Sequence, residues 1–232
     1  MRAPVSVVIP TLDAAARLPA CLTALMEGVE AGLVRELVIS DGGSRDATAE
    51  IAQEAGAALI TGEASRGGQL RRGARVAKGE WLLFVHADTV LAPGWAAAVA
   101  AHIEGGQARA ACFRLRFDTG GLRPALVAGW ANLRTRVLGL PYGDQGLLVT
   151  RGMYDAAGGY RDIPLMEDVA MARALRGRPV LLPVGARTSA ARYVAEGWFR
   201  RGLRNLWTLA RYLCGADPSA LSRGYRRSGH RS

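Results

Sequence analysis

The chain has 232 residues, half of them hydrophobic, and a formal net charge of +10 in which Lys78 is the sole lysine among 30 basic residues. The apolar content suffices for a sizeable core and excludes a disordered chain, and three cysteines far apart in sequence (Cys21, Cys112, Cys214) exclude a disulfide framework, a CxxC pair or a zinc finger. No charge-free apolar run approaches the roughly 18 residues of a membrane-spanning helix.

The N-terminal MRAPVSVVIP enters a strand almost at once, without the apolar run and small-residue cleavage site of a secretory signal. A reducing, cytoplasmic setting is the expectation. Val5–Pro10 is a β-branched run suited to a buried parallel strand. Leu18, Leu22, Leu25, Met26 and Val29 follow at helical spacing. Glu36–Ser40 is a second strand, ending at Asp41-Gly42-Gly43, and Ser44 is the expected cap of a helix with Ala47, Ile51, Ala52 and Ala55 on one face. Ala57–Thr61 is a third strand, Arg66-Gly67-Gly68 opens a basic helix through Val76, and Trp81–Val85 is a fourth strand. Strand and helix thus alternate through the first ninety residues, which predicts an α/β fold with right-handed crossovers and a mostly parallel sheet.

The second half is less regular. Ala110–Phe117 alternates apolar and polar residues, the pattern of an antiparallel or edge strand. Leu122–Leu138 reads as a helix and Gly146–Thr150 as a strand. Met166–Arg176 reads as a helix with Val169, Ala170 and Leu175 inward, and Val180–Pro183 as a short strand. From Trp198 onward, Phe199, Leu203, Leu206, Ala210 and Leu213 recur at helical spacing, with Arg200, Arg201, Arg204 and Arg211 between them. That profile suits an interfacial helix on a membrane and equally a stripe packed on the core or on a second subunit. The tail after Pro218 is polar and basic and is expected to be loosely ordered. No internal repeat or linker interrupts the chain. Residues 1–195 read as one domain with halves at 1–105 and 106–195, and 196–232 as a C-terminal helical appendage.

Ligands of open α/β sheets bind outside the carboxyl ends of the strands. Three strand ends carry polar residues there: Pro10-Thr11-Leu12-Asp13, Asp41, and His86-Ala87-Asp88. An acid at one such end is most often a turn former, but neighbouring strands would bring these three to one crevice.

In this order, VSVVIPTLDAAARLPACLTAL, ELVISDGGSRDAT, a Gly-Arg turn and GEWLLFVHADT resemble the N-terminal half of the family 2 glycosyltransferases of GT-A fold, from residue 4 to about 105 and less closely to about 190. The HADT string and the Gly143-Asp144-Gln145-Gly146 loop resemble a small bacterial subgroup of that family. The resemblance implies transfer of a sugar from a nucleotide-diphosphate donor, with UDP foremost, to a sugar, lipid or small-metabolite acceptor. It implies that Pro10 and Thr11 line the nucleotide pocket, that Arg66 stands near the nucleotide, and that Asp41 accepts from the N–H of the base. Asp88 corresponds to the last acid of a DxD-type motif for Mg2+ or Mn2+, and His86 replaces the first. One carboxylate can hold such a cation where the diphosphate and water supply most ligands. Imidazole suits Mn2+ better than Mg2+, so His86 stands as a metal ligand or as a hydrogen-bonding partner of ribose or phosphate. Glu167-Asp168 corresponds to an acid pair beside the acceptor, with Asp168 as the general base of an inverting displacement and Glu167 as the fallback. A plain helix start would favour the same pair through its dipole.

Asp144 and Gln145, flanked by glycines, sit in a loop open to a ligand or in a plain turn. Arg71 and Arg72, on the helix after the Gly-Arg turn, are candidates to assist the diphosphate at a helix N-terminus, with a solvated face as the alternative. Arg192, Arg200 and Arg201 are candidates to close over the leaving group, in place of the family's QxxRW motif, which this chain lacks. Two other readings stay open. A nucleotidyltransferase would want a Gly-rich loop where Pro10-Thr11 stands. A non-catalytic binder of membranes or nucleic acid would draw on the positive charge. The arginines run along the whole chain and no nucleic-acid motif is present, so no nucleic-acid partner is expected. Contact with the inner face of a membrane through 198–213 stays open.

Overall fold

A computed structural model describes residues 3–106 and 109–229. β1 (Val5–Thr11), α1 (Leu18–Glu30), β2 (Val34–Asp41), α2 (Thr48–Glu54), β3 (Ala58–Thr61), α3 (Arg66–Val76) and β4 (Trp81–Phe84) follow in the expected alternation. β1 pairs parallel with β2 on one side and with β4 on the other, and β2 pairs parallel with β3. The reason lies in β1 itself. Val5, Val7, Val8 and Ile9 are all buried, so both faces of the strand need cover. Val5, Val7 and Ile9 pack with Leu18, Cys21 and Leu25 of α1. Val8 packs on the other face with Leu70 and Ala74 of α3. Each such side chain contributes about 1.5–3 kcal/mol when buried, and a parallel strand with helices on both faces buries all four. Gly73 lets α3 approach: a Cβ there would lie 2.4 Å from Val8 Cγ1.

Beyond β4 the sheet changes character. The chain continues through β5 (Thr89–Leu91), α4 (Trp95–Glu104), β6 (Ala111–Phe117), α5 (Leu122–Leu138), a 3-10 turn at Gly143–Gln145, β7 (Leu147–Thr150), α6 (Arg151–Ala156) and α7 (Glu167–Ala174). It ends with β8 (Val180–Thr188), α8 (Ala191–Glu196), α9 (Trp198–Leu213) and α10 (Pro218–Gly229). The strands form one sheet in the order β3-β2-β1-β4-β7-β6-β8-β5. β7 pairs antiparallel with both β4 and β6, β6 runs parallel to β8, and β8 pairs antiparallel with β5. Trp95 of α4 is fully buried beneath this sheet, with its indole N–H donating to Ala24 O of α1 at 2.9 Å.

Several expectations are corrected. Of the two alternatives for β6, the antiparallel one holds, against β7, and the edge one does not: β6 is an interior strand whose Phe113, Leu115 and Phe117 are buried while Arg114 and Arg116 stand exposed. β8 runs on to Thr188 because it has partners on both sides. Ser44 does not cap α2, which begins at Thr48; its hydroxyl and N–H both donate to Asp41. The chain after Pro218 forms α10, and the last three residues of the basic tail lie outside the described residues. α4, α6 and α8 add to the expected elements.

The first turn of α3 also joins the two halves of the molecule. A Cβ on Gly67 would lie 2.0 Å from Arg161 O, and one on Gly68 would lie 2.8 Å from Asp162 Oδ1. Gly67→Ala is therefore expected to destabilise the fold by about 2–3 kcal/mol, read as a lower urea midpoint with an unchanged m-value.

Candidate active site

Polar residues gather at the carboxyl end of the parallel strands. Asp41, at the end of β2, is 2% exposed. Thr11 Oγ1 and Ser44 Oγ donate to its Oδ1, and the Gly43 and Ser44 N–H groups donate to its Oδ2. A carboxylate offers about four acceptor positions, so this one is saturated. Burial acts to raise its pKa, but the four donated bonds outweigh burial and hold it below the usual carboxylate range. Asp41 thus has its acceptor positions occupied from within the chain and does not line the cavity described below. It ties β1 to β2 instead. Around it, Asp13 Oδ1 accepts from Arg45 N–H, Ser44 Oγ from Asp13 N–H, and Thr48 Oγ1 from Ala14 N–H. The Gln69 amide of α3 donates to Thr11 O at 2.6 Å and Ser40 O at 2.9 Å. The loops after β1 and β2 become one rigid rim.

A cavity of about 860 Å3 opens beside this rim, within the ~300–1,000 Å3 usual for small-molecule sites. Pro10 and Thr11 line it from β1, His86 and Asp88 from the loop after β4, and Arg66 from the start of α3. Asp144 enters from the 3-10 turn, and Glu167 and Asp168 from the first turn of α7. Of the expected site residues, Asp41, Arg71, Arg72, Gln145 and Arg200 stay outside it, and Arg72 donates to Glu63 O at 2.8 Å. Arg71 lies exposed on α3. Gln145 is fully buried: its amide donates to Phe113 O and Asn132 Oδ1 and accepts from Thr135 Oγ1, fastening the turn to β6 and α5. At the start of α3, Ser65 Oγ donates to Asp162 Oδ1 and accepts from Gly68 N–H.

The loop after β4 is held from below by Cys21, whose Sγ donates to His86 O at 3.6 Å. Burial, and Asp88 after it, push that thiol up to about 12, so it keeps the proton it donates. The His86 ring lies against Gly143, where a Cβ would come within 2.3 Å of Nε2. Burial, helped by the Arg66 and Arg192 guanidiniums, pushes His86 down to about 4 against the pull of Asp88, which makes it a neutral imidazole at pH 7. Asp88 is partly exposed to the cavity and pairs with Arg17, Nη1 to Oδ2 at 3.5 Å. Asp144 Oδ1 is buried and has no hydrogen-bond partner among the described residues. Burial pushes the Asp144 carboxyl up to about 6 against the Arg134 guanidinium, with Asp168 and Asp88 adding to the rise.

Asp168 accepts from Gly143 N–H through Oδ2 and from Val169 N–H through Oδ1, which leaves each oxygen a further acceptor position toward the cavity. Glu167 is 2% exposed and lies 3.6 Å from Arg66 Nη1. Burial and Asp168 push its carboxyl up to about 7 against that guanidinium. Met166, in the left-handed region at φ 67°, turns the chain so that both acids start the helix at the cavity.

A divalent cation can be tested against these groups. Among the described residues no cluster of three or more His, Cys, Asp or Glu stands ready to hold one unaided. Asp88 faces the cavity, and Asp144 lines it too, with one buried oxygen that lacks a partner among the described residues. These hard oxygen donors fit a cation that arrives with most of its ligands, as a metal-bound diphosphate does.

Arg17 carries no motif that announces its pairing with Asp88; its place in the loop after the first strand is the one signal. Tyr142, stacked on the Arg134 guanidinium at 3.5 Å, and Asn205 of α9 also line the cavity without a sequence signal. Of the C-terminal arginines, Arg192 and Arg201 reach the cavity and Arg200 does not. Arg201 is buried and held by Glu196 at 2.6 Å.

A crevice at the carboxyl ends of parallel strands, with acids and guanidiniums around a cavity of this size, is where open α/β folds bind their ligands. The chain belongs to glycosyl transferase family 2, whose family model matches residues 6–153. The PGL/p-HBAD biosynthesis glycosyltransferases of Mycobacterium bovis and Mycobacterium tuberculosis are 41% identical over 99 residues, 39% of this chain and 38% of theirs. The match thus spans well under half the length of those relatives. S. aureus TarS superposes with a TM-score of 0.63 at 16% identity, over 94% of this chain and 41% of that one. Glucosyl-3-phosphoglycerate synthase from Mycobacterium tuberculosis, in complex with Mg2+ and UDP, gives 0.54 at 20% identity over 80% of this chain and 69% of that one. At these identities the likeness establishes the shared GT-A fold.

Two outcomes follow from the acids. Asp41→Asn is expected to cost about 2–3 kcal/mol in urea unfolding, because buried donors lose their acceptor. Glu167 titrates near 4.5 when unfolded and about 7 when folded, so the folded state holds more proton in between and stability falls as pH rises through that window. Glu167→Gln removes this penalty. The melting temperature of the variant relative to the parent should therefore climb between about pH 4.5 and about pH 7.

Proposed function

We propose that this chain transfers a sugar from a UDP-sugar to an acceptor hydroxyl in one inverting displacement. The observation that carries the reading is the sharing of one cavity by Asp88 and the Glu167-Asp168 pair. An acid for the donor's cation and a base for the acceptor then act in the same space. Structures of TarS with UDP-GlcNAc and of glucosyl-3-phosphoglycerate synthase with Mn2+ and UDP support the choice of nucleotide and of a divalent cation.

In this reading the nucleotide lies along Pro10, Thr11 and the Ala64–Arg66 wall. Asp88 holds Mg2+ or Mn2+, with Asp144 beside it. When bound, the cation neutralises charge on the departing diphosphate. Arg17 pairs with Asp88 at 3.5 Å, and Arg192 and Arg201 face the same cavity and add positive charge on the side of the leaving group. His86, kept neutral, offers a hydrogen bond to ribose or phosphate. Asp168 accepts the proton of the acceptor hydroxyl as that oxygen attacks the anomeric carbon. A single displacement with one base inverts the configuration. Glu167 holds Arg66 in place beside the donor. The acceptor is a sugar, a lipid or a small metabolite.

Thermal-shift titration with UDP, UDP-sugars and GDP-mannose, each with and without MnCl2 or MgCl2, tests donor and cation together. UDP with metal should raise the melting temperature, and Asp88→Ala should abolish the metal-dependent part. Asp168→Asn should keep that shift while transfer falls about 100-fold or more. Absence of a shift with every nucleotide diphosphate would sink the reading.

A further inference from the structure

α5 and α9 leave their apolar stripes outside the core. On α5, Leu122, Leu126, Trp130, Leu133 and Val137 fall on one stripe of a helix about 25 Å long, and all five are exposed, Leu122 by 75%. On α9, Phe199, Leu203, Leu206, Trp207 and Leu213 do the same, with Leu203 and Trp207 at 67%. The stripe of α9 therefore does not pack on the core. The two stripes meet where Trp130 and Leu206 line one small crevice between the helices. Monomeric proteins rarely expose a contiguous apolar patch of more than a few hundred Å2 without a partner.

The charge names the partner. α5, α9 and α10 contain ten arginines and no acidic residue, so they carry the entire +10, and the remaining chain balances at 20 basic to 20 acidic residues. The net charge is thus confined to these helices rather than spread along the chain. Arg123, Arg136, Arg200, Arg211 and Arg223 stand exposed beside the apolar residues. Two exposed tryptophans, aliphatic side chains and a fringe of arginines make up the face of an interfacial helix, matched to the headgroups and upper acyl region of an anionic bilayer. A second copy of the chain would set those arginines against their own kind. Among the described residues no helix is long and apolar enough to cross a membrane.

We propose that the α5–α9 face docks on an anionic lipid surface. α9 also sends Arg201 and Asn205 into the large cavity, and Asp144 and Tyr142 line both that cavity and the crevice. Docking through α9 therefore brings the site to the bilayer, where it meets an acceptor carried by a lipid. This last step rests on the glycosyl-transfer reading; the docking does not.

The test is co-sedimentation of the full chain with vesicles of phosphatidylcholine alone and of phosphatidylcholine with phosphatidylglycerol, at low and high salt. Expected are binding to the anionic vesicles, loss of most of it at high salt, and an at least tenfold lower partition for the Leu126→Ser/Trp207→Ser double variant. Neither residue lines the cavity, so the variant should keep the UDP and metal thermal shift, which separates failure of docking from failure of the catalytic reading. Failure to bind either vesicle overturns the proposal, as does binding unchanged in the double variant. A parent that is dimeric by light scattering, with a monomeric double variant, would assign the face to a second copy and overturn it too.

Discussion

Four residues, Val85 to Asp88, join the middle of the sheet to its far edge, and the shape of the molecule depends on that short link. β4 and β5 are separated by β7, β6 and β8. In a flat sheet four strand spacings amount to about 19 Å. Five Cα steps from Phe84 to Thr89 reach about 17 Å at full extension, and the bond from Thr89 N–H to His86 O shortens the path further. The sheet must therefore curl until β5 returns toward β4. The link that enforces the curl is His86-Ala87-Asp88 itself, so the residues that face the cavity are also those that make the sheet concave.

The curl collects the remaining groups. Thr89 pairs with Thr188, which sets the end of β8, and Arg192 shortly after it, over the same opening. β7 runs antiparallel to β4 with Leu147 opposite Phe84, so the turn at Gly143–Gln145 arrives beside the end of β4. That register explains why Gly143 touches His86 and why its N–H reaches Asp168. Asp168 in turn anchors α7, and Gly67 lets the chain before α7 lie on α3. The acids of the site are neighbours because strands that are distant in sequence share registers.

This is also where sequence reasoning reached its limit. The alternation of β1 to β4 is written in local patterns, and a buried run such as Val5–Ile9 leaves little choice of environment. The second half depends on pairings of β6, β7 and β8 that no local pattern encodes; the alternation of β6 came from one exposed face, not from an edge. Asp41 and Asp88 show the same limit in the site. Both follow a strand at the same edge. Asp41 is followed by Gly43 and Ser44, whose donors turn back onto it, and it becomes structural. Asp88 has Arg17 at 3.5 Å and open space beyond. The residue type was readable in the sequence, but the supply of nearby donors was not.

The distribution of charge separates the two surfaces of the C-terminal helices. Asp88, Asp144, Glu167 and Asp168 around one cavity would repel one another without cations between them. Arg17, Arg66 and Arg134 supply that compensation: Arg17 and Arg66 by ion pairs, and Arg134 by its effect on Asp144. Of these only Arg134 belongs to α5, and it faces inward. The exposed Arg123, Arg136, Arg200, Arg211 and Arg223 do not line the cavity. α9 has one face built for the cavity, with Arg201 pinned by Glu196, and another that is apolar and fringed with positive charge. One helix thus carries a polar face that lines the cavity and an exposed face that is apolar and basic, and the contacts of the first fix the orientation of the second.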